Sequence, residues 1–197
     1  MSLLLAMFSF SLAMSISPGP VNLVILSSGV NYGIRKTFNF VSGATIGFTL
    51  LLVFIGLGFH KVIDVYPLFL KYLSVAGSAF IIYMGCLIAI SKPDIKVKKN
   101  TRPTFLQGFL LQWLNPKAWL ACVAGVSLFS SPESDAQFLS FALIYFIVCY
   151  ISLASWSLLG AKSTLILNSE FRLKLFNMTM GFLLVSTAWF LLYTQIK

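Results

Sequence analysis

Six long apolar runs, separated by short polar stretches, constrain this sequence more than any other feature. A helix needs about 20 mainly apolar residues to cross a bilayer. Runs of about that length occupy residues 3–28, 38–59, 68–90, 105–129, 138–160 and 173–193. No other segment is long enough to form a separate domain. The pattern predicts an all-α integral membrane protein with six transmembrane helices. We therefore expect the lipid bilayer to be one of its partners.

The composition supports a membrane location. The chain has 197 residues, of which 58% are hydrophobic and only 10% are charged, whereas soluble domains carry about 25% charged residues. So short a chain could not bury that much apolar surface in a water-soluble core. The net charge of +9 would suit a nucleic acid, but the basic residues lie in the gaps between apolar runs. We therefore expect no nucleic-acid partner.

The first apolar run resembles the apolar core of a signal peptide between residues 3 and 14. No basic residue precedes it, although signal peptides carry a positively charged start. We therefore expect this run to be the first transmembrane helix.

The basic residues are distributed unevenly between the two sides of the predicted bundle. The loops after the first, third and fifth runs are basic, with Arg35, Lys36, Lys92, Lys96, Lys98, Lys99, Arg102, Lys162 and Arg172. The other side has few basic residues, and the loop after the fourth run carries Glu133 and Asp135. Because cytoplasmic loops are enriched in Lys and Arg, we expect the odd-numbered loops in the cytoplasm and both termini outside.

A weak internal repeat is present at an offset of 98 residues. It aligns residues 40–48 with 138–146, where Phe, Ser, Ala, Ile and Phe recur, and it carries Pro18 onto Pro116. A unit of three helices crosses the membrane an odd number of times, so the second copy must be inverted. The repeat predicts one transporter domain over 1–197, with halves at about 1–91 and 105–197 and a basic cytoplasmic linker at 92–104.

The first run contains the motif Ser17-Pro18-Gly19-Pro20. Each proline removes a backbone donor and clashes with the preceding turn, so the motif predicts two half-helices over Leu3–Ile16 and 20–31. The second half would begin with Pro20 and have Ser17 or Gly19 near its cap. Its positive N-terminal end would suit a carboxylate.

The fourth run contains a similar motif, Asn115-Pro116-Lys117. Asn115 is a capping residue, Pro116 suits the first helical position, and the cation of Lys117 lies roughly halfway along the run. Charged residues within a membrane are rare and usually face an interior or a cavity. Lys117 is therefore expected to meet an anionic group, the alternative being a later helix start with Lys117 at the interface.

The two breaks and Asn22, one turn from the first break, define the predicted substrate pathway. Its residues are Ser17, Pro18, Gly19, Pro20, Asn22, Asn115, Pro116 and Lys117. A GxxxG pattern at Gly43 and Gly47 predicts close helix packing, within the protomer or across a homodimer.

Several chemistries lack the residues that they need. The runs contain no Asp or Glu, and the three cysteines, Cys86, Cys122 and Cys149, form no CxxC motif and have no neighbouring His. We expect no metal site, no cofactor and no catalytic residues. The alternatives to transport are a structural or assembly protein, an intramembrane enzyme, and a thiol–disulfide electron carrier.

These motifs together resemble the LysE/RhtB family of bacterial amino-acid exporters. The similarity covers residues 17–35, with the SPGPVNL signature, residues 73–85, and residues 105–119. The segment 111–115 is most similar to the branch that exports cysteine and O-acetylserine. Val21 departs from the family, which often has a polar residue there. The resemblance implies proton-driven export of an amino acid or derivative from the cytoplasm, and the lack of a buried acid favours a neutral substrate.

Overall fold

The computed structural model describes residues 3–59, 68–90, 103–130, 135–167 and 169–196. Within these ranges the regular structure is helical, and no strand is present. The helices are α1 (Leu3–Ile16), α2 (Pro20–Tyr32), α3 (Ile34–Phe54, continued by a π-helical turn over Ile55–Phe59), α4 (Leu68–Ala89), α5 (Phe105–Trp113), α6 (Pro116–Phe129), α7 (Asp135–Ser163) and α8 (Glu170–Ile196). Each of the six apolar runs thus forms helix in the predicted order. The first and fourth runs each form two helices, and the other four runs form one helix each.

The first run is broken at the predicted place. α1 ends at Ile16 and α2 begins at Pro20, and the two half-helices meet at an angle of 62°. Gly19 precedes α2 with an extended backbone (φ −170°), and Pro20 occupies the start of the helix. The proline fixes the φ angle of a first helical turn, where its missing N–H is not needed. The predicted bounds hold to within one residue.

The fourth run is broken as well, between Trp113 and Pro116. Asn115 caps α6, because its side-chain oxygen accepts a hydrogen bond from the Lys117 amide at 3.1 Å. The predicted roles of Asn115 and Pro116 at the start of this half-helix are confirmed.

Helices α3, α7 and α8 extend beyond the apolar runs that predicted them. α3 starts at Ile34 instead of 38 and includes Arg35 and Lys36 in its first turn. α7 and α8 start with Asp135 and Glu170, acidic residues that favour a helix N-terminus. Apolar content marks the part of a helix that crosses hydrocarbon, so it misses the polar turns that continue the helix outside.

The lengths and surfaces of the helices suit a bilayer. The stretches Ile34–Gly58, Asp135–Ser163 and Glu170–Phe190 are each long and apolar enough to cross a membrane, and the bent α1–α2 pair qualifies as one further span. Val75–Ala89 and Pro116–Phe129 are shorter apolar helices. Large apolar side chains such as Ile151 and Phe182 face outward, which lipid favours and water does not. The chain is an all-α integral membrane protein.

The packing relates the two halves of the chain to each other. In the first half, α1 and α2 pack against α7, which is the middle helix of the second half. In the second half, α5 packs against α3, the middle helix of the first. The two middle helices contact each other, as do α4 and α8. Exchanging the halves maps these contacts onto one another, as expected for two inverted three-helix repeats.

The GxxxG pattern of α3 is used within the protomer. Gly43 packs against the backbone of Phe105 and Gly47 against that of Phe109, while Gly108 of α5 packs against Phe40. Small residues at these positions let the two backbones approach closely. Both α3 glycines face α5, so a homodimer, which stays a prediction, would need another surface.

The predicted linker over 92–104 lies mostly outside the described residues, which include only Pro103 and Thr104 of it. Thr104 caps α5: its hydroxyl accepts from the Gln107 amide while the Gln107 side chain accepts from the Thr104 amide. Glu133, one of the residues used to orient the bundle, also lies outside the described ranges.

The close packing of α3 on α5 gives a first prediction. Gly43→Leu would force α5 away from α3 because its side chain would occupy the place of the Phe105 backbone, so less protein should be recovered as a monodisperse peak in detergent. Ile46→Leu, at an outward-facing position of the same helix, is the matched control. A Gly43→Leu protein of normal yield that had merely changed from dimer to monomer would instead place Gly43 at a dimer interface.

Candidate functional site

A single lysine joins the two helix breaks. The Lys117 ammonium, from the first turn of α6, donates to the Ser17 hydroxyl at 2.8 Å and to the carbonyl oxygens of Ser17 and Pro18, both at 3.3 Å. Its tip lies against Gly19, where an added Cβ would be 3.3 Å from Nζ. Lys117 is half-buried and points to the first break.

The remaining carbonyls at the end of α1 are bonded by two other side chains. Asn22 donates to the carbonyl oxygens of Ser15 (3.0 Å) and Ser17 (3.2 Å). Trp156 of α7 donates its indole N–H to the carbonyl oxygen of Ile16 at 3.2 Å. An unbonded backbone group in hydrocarbon costs several kcal/mol. The break is therefore held open by specific donors from α2, α6 and α7.

The second break uses the same kinds of bond. The indole N–H of Trp119 donates to the Trp113 carbonyl at 2.7 Å, and the amides of Ala118 and Trp119 bond the Asn115 carbonyl. The two breaks differ at the helix that follows. α6 has a side-chain cap from Asn115, whereas Gly19, the residue before α2, has no side chain that could cap that helix. The N-terminus of α2 is therefore the one open to an anion.

A small cavity lies between the breaks, with a volume of about 40 Å³. Of the eight predicted pathway residues, Gly19, Pro20, Asn22, Asn115 and Lys117 line it. Ser17 and Pro18 reach it through their bonds to Lys117, whereas Pro116 lies beside Gly77 of α4. The volume suits one or a few water molecules, so an amino acid requires the cavity to widen.

Other residues line the cavity without having been predicted. They are Met14, Ser15, Val21, Phe48, Gln112, Ala118, Ala121, Tyr145, Cys149 and Leu153. Tyr145 and Cys149 face it from α7, and the Tyr145 ring stacks on Phe48 at 4.4 Å between centroids. Tyr145 and Cys149 lie in the fifth apolar run, which is apolar on all sides. Its sequence therefore does not show which face of the helix is turned inward.

The charged groups at the cavity are few. Lys117 is the one ionisable cation among the lining residues, and none of them is acidic. Among the described residues no cluster of His, Cys, Asp and Glu could hold a metal ion. Cys122 and Cys149, both buried, are free thiols. The site can thus offer hydrogen bonds, one positive charge and an uncapped helix N-terminus.

Broken helices that meet at a polar cavity are typical of secondary transporters. The chain matches the model of the LysE type translocator family over residues 12–195. It is 34% identical to a cysteine/O-acetylserine efflux protein from Escherichia coli over 138 residues, covering 68% of this chain and 69% of that protein. A protein of the same description from Shigella sonnei is 33% identical over the same coverage. No solved structure matches the chain. The chain belongs to the LysE type translocator family.

The bond between Trp156 and the first break gives a second prediction. Trp156→Phe keeps the aromatic ring but leaves the Ile16 carbonyl without its donor, so the free energy of unfolding should fall by about 1–3 kcal/mol. Thermal unfolding in detergent measures the change. Trp189→Phe, which alters an outward-facing ring on α8, should have little effect, and equal stability of the two variants would contradict the role of this bond.

Proposed function

We propose that the protein is a secondary transporter that exports a small neutral amino acid, or an amino-acid derivative, across the bacterial inner membrane. The observation that carries the proposal is the position of Lys117, which lines a small cavity between two helix breaks with no acidic residue in its lining. The names of the relatives, which describe efflux of cysteine and O-acetylserine, support this class of substrate.

The carboxylate of the substrate would bind at the start of α2. That helix lacks a side-chain cap, and Pro20, Val21 and Asn22 of its first turn line the cavity. Helix N-termini attract anions because their backbone N–H groups are unpaired there and the dipole is positive. Lys117, on the facing side, would supply the second positive group.

The ammonium of the substrate would bind where Lys117 is now held. The carbonyls of Ser17 and Pro18 and the hydroxyl of Ser17 form a group of acceptors that already bonds one ammonium. Asn22 would orient the Ser17 carbonyl from the other side. The site can therefore receive both charges of a zwitterion.

Substrate binding would be coupled to a change of conformation. The cavity has a volume of only about 40 Å³, and Lys117 links α6 to the end of α1. A substrate whose carboxylate binds Lys117 and whose ammonium binds the carbonyls at the first break would replace the bonds that link the two helices. A ligand shifts a conformational equilibrium only through such a difference in its interactions with the two states.

Export as the direction of transport rests on the names of the relatives, and the basic loops orient the protein in the membrane. With the odd-numbered loops in the cytoplasm, α2 runs from the cavity to the cytoplasmic surface at Arg35 and Lys36, and both termini lie outside. Export against a concentration gradient needs an energy source, and we include the proton gradient in the proposal. Collapse of that gradient by a protonophore should abolish export.

The central test of the proposal uses Lys117. Cells that overproduce the wild-type protein should survive toxic amounts of an amino acid or analogue from a panel, and should excrete it. Lys117→Met should reduce export about tenfold to hundredfold, because it removes hydrogen bonds made by a charged group. Lys162→Met, at an exposed position, is the control, and the amount of protein in the membrane must be equal. Wild-type export by Lys117→Met would contradict the proposed role.

A second test addresses the first break. The double variant Pro18→Ala, Pro20→Ala favours a continuous helix, which would remove the free carbonyls and the uncapped start of α2. It should insert into the membrane in normal amounts but lose export. Pro103→Ala, which changes a proline outside the breaks, should retain it. Full export by the double variant would show that the break is not required.

A further inference from the structure

Four buried polar side chains at or next to the cavity are not among the predicted pathway residues. Ser15 of α1 and Tyr145 and Cys149 of α7 line it, and Thr45 of α3 lies beside Cys149. All four are at least nine-tenths buried. This cluster contributes hydroxyl and thiol groups from three helices and no charge.

Two hydroxyls of the cluster have no hydrogen-bond partner. The Ser15 and Thr45 hydroxyls are buried and make no hydrogen bond of good geometry in the described structure, although Ser15 lies near the polar groups of Tyr145 and Cys149 and Thr45 lies near that of Cys149. Their neighbours on the same helices behave differently: the Ser11 hydroxyl donates to the Met7 carbonyl at 2.7 Å and that of Thr49 to the Thr45 carbonyl at 2.9 Å. Buried hydroxyls are nearly always bonded, and Ser15 also lines the cavity, so its hydroxyl points to a missing partner.

The surroundings of the cluster limit what that partner can be. Phe48, stacked on Tyr145, and Leu153 line the same cavity, so only a short group fits. The cluster carries no charged side chain, and a charged partner would be left unpaired there at high cost. The partner is therefore short, neutral and able to form hydrogen bonds.

The geometry points to this cluster as the subsite for the side chain of the transported amino acid, with Ser15, Tyr145 and Cys149 in contact and Thr45 behind Cys149. This inference rests on the proposed function and deepens it. The backbone groups of the substrate occupy the breaks, and a hydroxyl or thiol group on its side chain meets the cluster. The protein then favours a short polar side chain over an apolar one of equal size.

The test compares substrates that differ in one group. Purified protein in proteoliposomes is assayed with L-serine, L-cysteine and L-2-aminobutyrate, in which a methyl group replaces the hydroxyl or thiol. The wild type should have a higher kcat/KM for the two polar compounds than for 2-aminobutyrate. Ser15→Ala and Tyr145→Phe should each lower that preference about threefold to tenfold, the usual effect of one neutral hydrogen bond, through KM for the polar compounds.

The control is Ser11→Ala, one turn before Ser15 on the same buried face, whose hydroxyl is already bonded. It should leave the preference unchanged. Variants that slow all three compounds equally, or a wild type without preference, would overturn this inference alone. A wild type that transports none of the three compounds, and O-acetyl-L-serine neither, would overturn the proposed function and the subsite with it.

Discussion

Backbone carbonyls that a broken membrane helix leaves without partners are the constraint on which this structure depends. Lipid offers no hydrogen bonds, so each break must be bonded by the protein or by water. At the first break the donors are Asn22, Lys117 and Trp156. They come from three different helices, so the break can exist only where α2, α6 and α7 converge. The polar groups in the cavity at that convergence are thus a consequence of how the break is stabilised.

The repeat relates the two breaks to each other, but the residues at one pair of matching positions differ. These two different residues fit together in the structure. The offset that carries Pro18 onto Pro116 also carries Gly19 onto Lys117. In the structure these two residues meet, because the missing side chain at Gly19 leaves space for the Lys117 ammonium. An exact repeat with lysine at both places would bring two positive charges together. The difference at this one position therefore lets Lys117 link the two halves, and it leaves the N-terminus of α2 open to an anion.

The sequence predicts the parts of the site that depend on local chemistry. Proline dictates where a helix breaks, and Asn115 caps the helix after the second break, so the positions of both breaks follow from the sequence alone. The partners of Lys117 lie about one hundred residues away in the chain and depend on how the helices pack. Tyr145 and Cys149 were not predicted for the same reason: α7 is apolar on all sides, so its sequence does not show which face is turned to α1.

The bonds of Lys117 also explain why a site of this kind would select a zwitterion. A simple carboxylic acid could draw Lys117 away, but the carbonyls of Ser17 and Pro18 would then lose their donor. A simple amine could replace the lysine at those carbonyls, but Lys117 would be left as an unpaired charge in a medium of low polarity. A molecule with both groups on adjacent atoms satisfies the lysine and the carbonyls together. Selection for an amino acid would then follow because its two charged groups replace the hydrogen bonds between Lys117 and the carbonyls. This selection would not depend on contacts with the substrate side chain.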